Sequence, residues 1–177
     1  MKLNLLIMPT LLGALSFNAL ASIGVEDFSI FKHRVGLGYS ITEVDSGDYG
    51  SGLKLEYGYD FNQYVGLFIS AEMNEDADVN ESLDKATNIK VGTDIGYTFE
   101  WDKFSLKPYG TVGFYSYDES TKSCDNCFDT TYDDDGVYFG VGVRFHYDRF
   151  YVDLKRDHFS TDYEDANQMS ATFGYRF

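Results

Sequence analysis

The sequence predicts an all-β fold: an eight-stranded antiparallel up-and-down transmembrane β-barrel with a filled interior. Three observations carry this. Apolar residues alternate with small or polar ones at period two in eight segments, the connections between segments alternate short and long, and the chain holds 15 Tyr, 15 Phe and 17 Gly against 2 Pro and 2 Cys. Period-two alternation sends successive side chains to opposite faces of a strand, so each segment has one apolar face and one face of glycine, hydroxyl and charge.

Met1 and Lys2, the apolar stretch from Leu3 to Leu15, and Ala19-Leu20-Ala21 form the charged start, apolar middle and small-residue exit of a secretory signal peptide. Residues 1–21 are therefore expected to be removed, leaving a barrel domain over 22–177. Asn4, Pro9 and Asn18, with no basic flank after the run, weigh against a helical anchor.

The first strand turns Val35, Leu37, Tyr39 and Ile41 one way and Gly36, Gly38, Ser40 and Thr42 the other. The second sets Leu53, Leu55, Tyr57, Tyr59 and Phe61 against Lys54, Glu56, Gly58 and Asp60, and the third sets Val65, Leu67, Ile69, Ala71 and Met73 against Gly66, Phe68, Ser70 and Glu72. In the fourth, Ile89, Val91, Thr93, Ile95, Tyr97 and Phe99 oppose Lys90, Gly92, Asp94 and Gly96. The fifth opposes Leu106, Pro108, Val112 and Phe114 to Lys107, Tyr109, Thr111, Gly113 and Tyr115. Val137, Phe139, Val141, Val143, Phe145 and Tyr147 then face away from Tyr138, Gly140, Gly142, Arg144 and His146 in the sixth. Phe150, Val152 and Leu154 oppose Tyr151, Asp153, Lys155 and Asp157 in the seventh, and Met169, Ala171, Phe173, Tyr175 and Phe177 oppose Ser170, Thr172, Gly174 and Arg176 in the eighth.

Short connections fall around Phe61 to Tyr64, Glu100 to Lys103 and Tyr147 to Phe150, whereas Glu43–Gly50, Asn74–Lys85, Tyr117–Asp135 and Ser160–Asn167 read as long loops. An even number of strands with short turns at one end and long loops at the other is what an outer-membrane barrel requires. The apolar face must be the outer one, because glycine and charge cannot form the dry core of a soluble sandwich. The expected location is the bacterial outer membrane, with the loops outside the cell.

The long loops hold eighteen of the 29 acidic side chains against two bases, Lys85 and Lys122, which leaves the rest of the mature chain neutral. Nucleic acid is excluded as a partner, since phosphate binding needs a basic face.

Lys107-Pro108-Tyr109-Gly110, the Gly-x-Gly pairs at 36/38 and 140/142, and the terminal Phe173-Gly-Tyr175-Arg-Phe177 resemble the eight-stranded outer-membrane barrels of the OmpA transmembrane-domain, OmpX and Ail type. The resemblance covers nearly all of the mature chain. It implies that the barrel-insertion machinery reads the terminal aromatic Phe177, the end of the Phe173, Tyr175, Phe177 series.

Eight strands leave an interior wide enough only for side chains. Ten inward glycines let the wall curve closely while Phe68, Tyr109, Tyr115, Tyr138 and Tyr151 fill volume. Inward charges need partners, and counting rungs from the short turns pairs Asp94 with Lys107, Arg144 with Asp153, and Glu72 with Lys90.

Cys124 and Cys127 stand in Cys-Asp-Asn-Cys. In an oxidising compartment this spacing reads as a disulfide closing a small ring, contributing about 2 kcal/mol by loop entropy; half of a zinc site is the alternative, with no second pair or nearby His to complete it. Asp133-Asp134-Asp135-Gly136 lacks the remaining ligands of a calcium-hand loop, so no metal or cofactor is expected and the acidic loops read as solvated.

His158 and Ser160, spaced i, i+2 with Glu164 beyond, would share the lipid-facing side at the height of the outer leaflet. This resembles the His-x-Ser of PagL-type lipid A deacylases, although Thr161 stands where that family has Asn.

The leading expectation is a non-enzymatic barrel presenting acidic loops to an extracellular protein, a host-surface ligand or the surrounding lipid and lipopolysaccharide, in adhesion or envelope maintenance. Tyr49, Tyr117, Phe128, Tyr132 and Tyr163 are candidate contact anchors or an upper aromatic girdle. A lipid A-modifying enzyme and a narrow pore are the alternatives.

Overall fold

The computed structural model describes residues 32–44, 47–77, 83–123, 128–160 and 165–177. It contains β1 (His33–Val44), β2 (Gly47–Asp60), β3 (Val65–Ala77), β4 (Leu83–Gly96), β5 (Phe99–Trp101), β6 (Phe104–Ser123), β7 (Phe128–Tyr147), β8 (Phe150–Ser160) and β9 (Asp165–Arg176). All pairings are antiparallel between chain neighbours, except that β1 also pairs with β9 and β4 with β6, which closes the sheet. Since β4 and β5 both pair with β6, they are two pieces of one stave, and the barrel has eight.

At the closing seam His33 N donates to Phe177 O at 3.0 Å and Phe177 N to His33 O at 2.9 Å, so the last residue pairs with the first of β1. The fourth stave, expected to run unbroken to Phe99, is interrupted at Tyr97 and Thr98. The cause is local: Thr98 donates from both its N and its Oγ1 to Gln63 O, at 3.0 and 3.1 Å, which draws the chain onto the turn between β2 and β3.

That turn is held by Asn62, whose Oδ1 accepts from Tyr64 N and Val65 N at 2.8 and 2.9 Å. The other two short turns place Asp102 and Asp148 at φ 48° and 52°. Tight hairpins need a left-handed residue to match strand twist, and Asp is among the few non-glycine residues that tolerate it.

At the opposite end the predicted long loops are largely strand. β6 and β7 stay in register from Phe104↔Tyr147 to Ser123↔Phe128, and β3 and β4 remain paired out to Ala77↔Leu83. The acidic segments alternate with Thr, Tyr and Ser, and their backbones keep strand partners. The result is a β-ribbon that rises beyond the band of apolar side chains.

Burial is inverted relative to a soluble protein. Leu53 is 70% exposed and Val141 65%, while Arg34 and Asp94 are 0% exposed. An outer surface of this kind is stable only against hydrocarbon, and a closed sheet is one of the two structures that satisfy every backbone polar group there.

Inside, large and small residues face each other across the ladders. Tyr109 lies opposite Gly142, Tyr115 opposite Gly136, Tyr138 opposite Gly113 and Tyr151 opposite Gly174, while Phe68 lies between Gly58 and Gly92. A Cβ at Gly142 would meet Tyr109 Cζ and Oη at 2.5 Å.

Gly142→Ala should therefore destabilise the barrel by about 1–3 kcal/mol through overpacking, with much of that cost disappearing in a Tyr109→Ala background. Urea unfolding in micelles, followed through the single tryptophan Trp101, tests this; equal costs in the two backgrounds would reject the fit between ring and glycine.

Candidate functional site

The functional surfaces are built in three layers along the barrel axis: a charged interior, an aromatic lower rim and the acidic ribbon. Period-two alternation sends Arg34, Asp60, Asp94, Lys107, Arg144 and Asp153 inward from six different strands, and all six are buried.

Arg34 is the hub. Its Nη1 donates to Asp60 Oδ1 at 2.7 Å and its Nη2 to Asp94 Oδ2 at 2.9 Å, and Glu56 Oε1 lies 3.7 Å from its Nε. Lys107 donates to Asp94, and Arg144 Nε donates to Asp153 Oδ2 at 2.5 Å while its Nη1 reaches Asp94 Oδ2 at 3.5 Å. Tyr109 Oη completes this tier by donating to Asp153 Oδ1 at 2.5 Å.

A second tier lies toward the ribbon. Lys90 Nζ lies 2.8 Å from Glu72 Oε1 and 3.1 Å from Asp157 Oδ2, and it donates to Gln168. Lys54 joins the tiers, with Nζ 2.9 Å from Glu56 Oε2. Above it Phe68, Tyr115, Tyr138, Phe159 and Ala166 form an apolar cluster, and the Nζ atoms of Lys155 and Lys90 lie 4.3 and 5.0 Å from the Phe68 and Phe159 ring centres. Buried charges of both signs thus stand within bonding reach of one another, which a low-dielectric interior demands.

The structure brings together Asp94 with Lys107, Arg144 with Asp153, and Glu72 with Lys90. Only Arg144 and Asp153 are direct cross-strand partners. Asp94 faces Thr111 and Lys90 faces Ser70, so long lysine side chains span the difference. Sequence reasoning left out Arg34, whose inward parity was readable from Val35 and Leu37, and Phe159, which lies just past the segment read as the seventh strand.

At the lower rim, outward aromatics run from Tyr59 and Phe61 through Tyr97, Phe99, Trp101 and Phe104 to Phe150 and Tyr175, with neighbouring rings in stacked or edge contact. Phe177 stacks on His33 at 5.5 Å, and Phe173 on Phe150 at 6.0 Å. A rim of aromatic rings that includes Tyr59, Tyr97, Trp101 and Tyr175, each with a polar group beside its apolar body, belongs at a membrane–water interface.

A scan against protein families matches residues 9–177 to the outer membrane protein beta-barrel domain. The chain belongs to that family. It is a bacterial outer-membrane protein. Solved outer-membrane barrels share the fold: Ail of Yersinia pestis at 19% identity and TM-score 0.60, covering 82% of this chain and 97% of that one. Neisserial surface protein A matches at 15% identity and TM-score 0.61, covering 86% and 100%. The N-terminal barrel of Pseudomonas aeruginosa OprF matches at 14% and 0.58, covering 83% and 99%. A search of the curated proteins finds no match.

On this outer-membrane barrel His158 faces outward near the ribbon end, where its Nδ1 pairs with Asn167 Oδ1 at 3.2 Å and its ring lies 5.0 Å from Phe139. The backbone of Ser160 ends β8 opposite Asp165. Glu164, Cys124, Cys127, Tyr163 and residues 1–21, expected to be a signal peptide, lie outside the described residues. Tyr117 is half-buried against the apolar cluster, because its parity follows that of Tyr115, and so it does not stand out as a contact anchor.

On the ribbon Asp118 stands directly opposite Asp133. A hydrogen bond between the two carboxyl groups, slight desolvation, and the charges of Asp133 and Asp135 raise the Asp118 carboxyl above its ordinary range.

Asp94→Asn should cost about 3–5 kcal/mol, since it leaves Arg34, Lys107 and Arg144 without their shared carboxylate; an unfolding midpoint equal to wild type would show the network to be dispensable. For Asp118 the folded state binds the proton more tightly than the unfolded one, so its contribution is full at acid pH and is lost as pH rises through the raised value. Protection factors of the ribbon amides, taken relative to the intrinsic exchange rate at each pH, should accordingly be higher in mild acid than at neutrality, and Asp118→Asn should shrink that difference.

Proposed function

We propose that this protein is a non-catalytic surface-interaction barrel, which uses its acidic ribbon to bind a cationic, extended segment of an extracellular partner by strand addition. The observation that carries the reading is an unpaired edge. β7 extends from Phe128, yet its pairing with β8 begins only at Tyr138↔Phe159, so the stretch from Phe128 to Val137 has no strand on that side among the described residues.

An exposed edge offers a row of free N–H and C=O groups and invites pairing with another chain. Asp133, Asp134 and Asp135 along this edge select for positive charge, by complementarity that steers encounter and disfavours polyanions. The solved Ail complex with the heparin analogue sucrose octasulfate is a barrel of the same fold with a polyanion bound; the ribbon here carries the opposite charge preference. The filled interior supports an anchoring role rather than a pore, and envelope maintenance follows from the same surface if the partner is another envelope component.

Cells carrying the ribbon shortened between Tyr117 and Asp135 should lose adhesion to host or matrix surfaces while the barrel still shows heat-modifiable mobility on gels. Adhesion kept at the wild-type level by the shortened form would remove the ribbon as the binding element.

A further inference from the structure

The outward faces of the staves are apolar along the membrane band, with one cationic interruption among the described side chains. On β7 the outward run is Tyr147, Phe145, Val143, Val141, Phe139 and Val137, and on β9 it is Phe177, Tyr175, Phe173, Ala171 and Met169. On β8, between them, the run stops after Phe150, Val152 and Leu154. The next outward residue is Arg156, exposed and set between Val141 and Met169 across the two ladders.

Arg156 has no hydrogen-bond or ion-pair partner among the described residues, in contrast to the hydrogen-bonded arginines Arg34 and Arg144 of the interior. A strand tilted by about 40° and rising about 3.3 Å per residue climbs about 2.5 Å per residue, which sets Arg156 about 15 Å above Phe150 in a band about 25 Å tall. Its backbone therefore lies in the outer half of the hydrocarbon, and its long side chain reaches the headgroup boundary by snorkelling. At that boundary stand His158, two residues further along β8, and Asn167 hydrogen-bonded to it at 3.2 Å. The nearest acids of the same face, Asp135 and Asp165, lie further out along their strands.

We propose that Arg156, with His158 and Asn167 beside it, binds a phosphate of lipid A, the phosphorylated glycolipid of the outer leaflet. A guanidinium fork matches two phosphate oxygens, and an anion at the hydrocarbon edge removes the cost of an unpaired cation there. His158 and Asn167 add polar groups at the same height, while Val141, Leu154 and Met169 flank the acyl chains. The site is independent of the ribbon and stands whether or not the ribbon binds a partner.

The test is native mass spectrometry of the full mature protein refolded in detergent and titrated with bisphosphorylated lipid A, dephosphorylated lipid A or phosphatidylglycerol. Wild type should retain bisphosphorylated lipid A in preference to the other two. Arg156→Gln should weaken that retention about tenfold, to the level of the dephosphorylated lipid, and Arg156→Lys should lie between, as expected for the loss of a charge-assisted bidentate contact. Equal retention by wild type and Arg156→Gln would overturn the proposal, as would wild-type binding of phosphatidylglycerol as strong as that of lipid A. If Arg156→Gln fails to fold, the wild-type preference for phosphorylated over dephosphorylated lipid A decides alone, and its absence overturns the assignment.

Discussion

Inside a bilayer no water is present to satisfy a backbone N–H or C=O, and the whole architecture answers to that constraint. An open sheet would leave two rows of such groups in hydrocarbon, so β1 must meet β9, and it does so down to the reciprocal bonds between His33 and Phe177. Closure in turn sets the bore. With eight staves the bore is too narrow for a solvent-filled lumen, and every inward side chain becomes part of a packed interior.

That interior is polar because the apolar residues are spent on the outside. Its stability then depends on matching rather than on hydrophobicity: six acids, from Glu56 to Asp157, interleave with Arg34, Arg144 and buried lysines, and the rings of Phe68, Tyr109, Tyr115, Tyr138 and Tyr151 each lie against a glycine on a neighbouring stave. The two devices serve different ends. Ion pairing avoids stranded charge, whereas the ring-to-glycine fit lets neighbouring strands approach closely around the packed rings.

Beyond the membrane the constraint relaxes. Water can satisfy backbone groups, so strands no longer need a neighbour on both sides, and β7 runs on past β8 with one edge unpaired among the described residues. Asp118 and Asp133 face each other across the ladder, where a hydrogen bond between the carboxyl groups favours a shared proton and the backbone pairing holds the two strands together. Arg156 marks the border between the regimes: an outward cation with no hydrogen-bond or ion-pair partner among the described residues, set at the end of the apolar run of β8.

Much of this was legible from the residues in order. Period two assigned the inward and outward sets, from Val35 and Gly36 through Phe173 and Gly174, because strand geometry alone alternates side chains and no tertiary information enters. Charge clustering marked the end of the barrel where the strands run past the apolar band. Register between staves was not legible. Asp94 reaches Lys107 although its rung partner is Thr111, and Arg34 meets Asp94 although β1 and β4 are not neighbours, since a narrow closed lumen brings together residues from opposite walls. The break at Thr98 and the strand character of the acidic segments escaped for a related reason: a chain continues or ends as a strand according to the backbone partner standing beside it, and that partner is supplied by another part of the molecule. The sequence by itself determined which face of each strand meets lipid; only the closed structure decided which charges meet one another, because that depends on stagger and curvature that no single segment encodes.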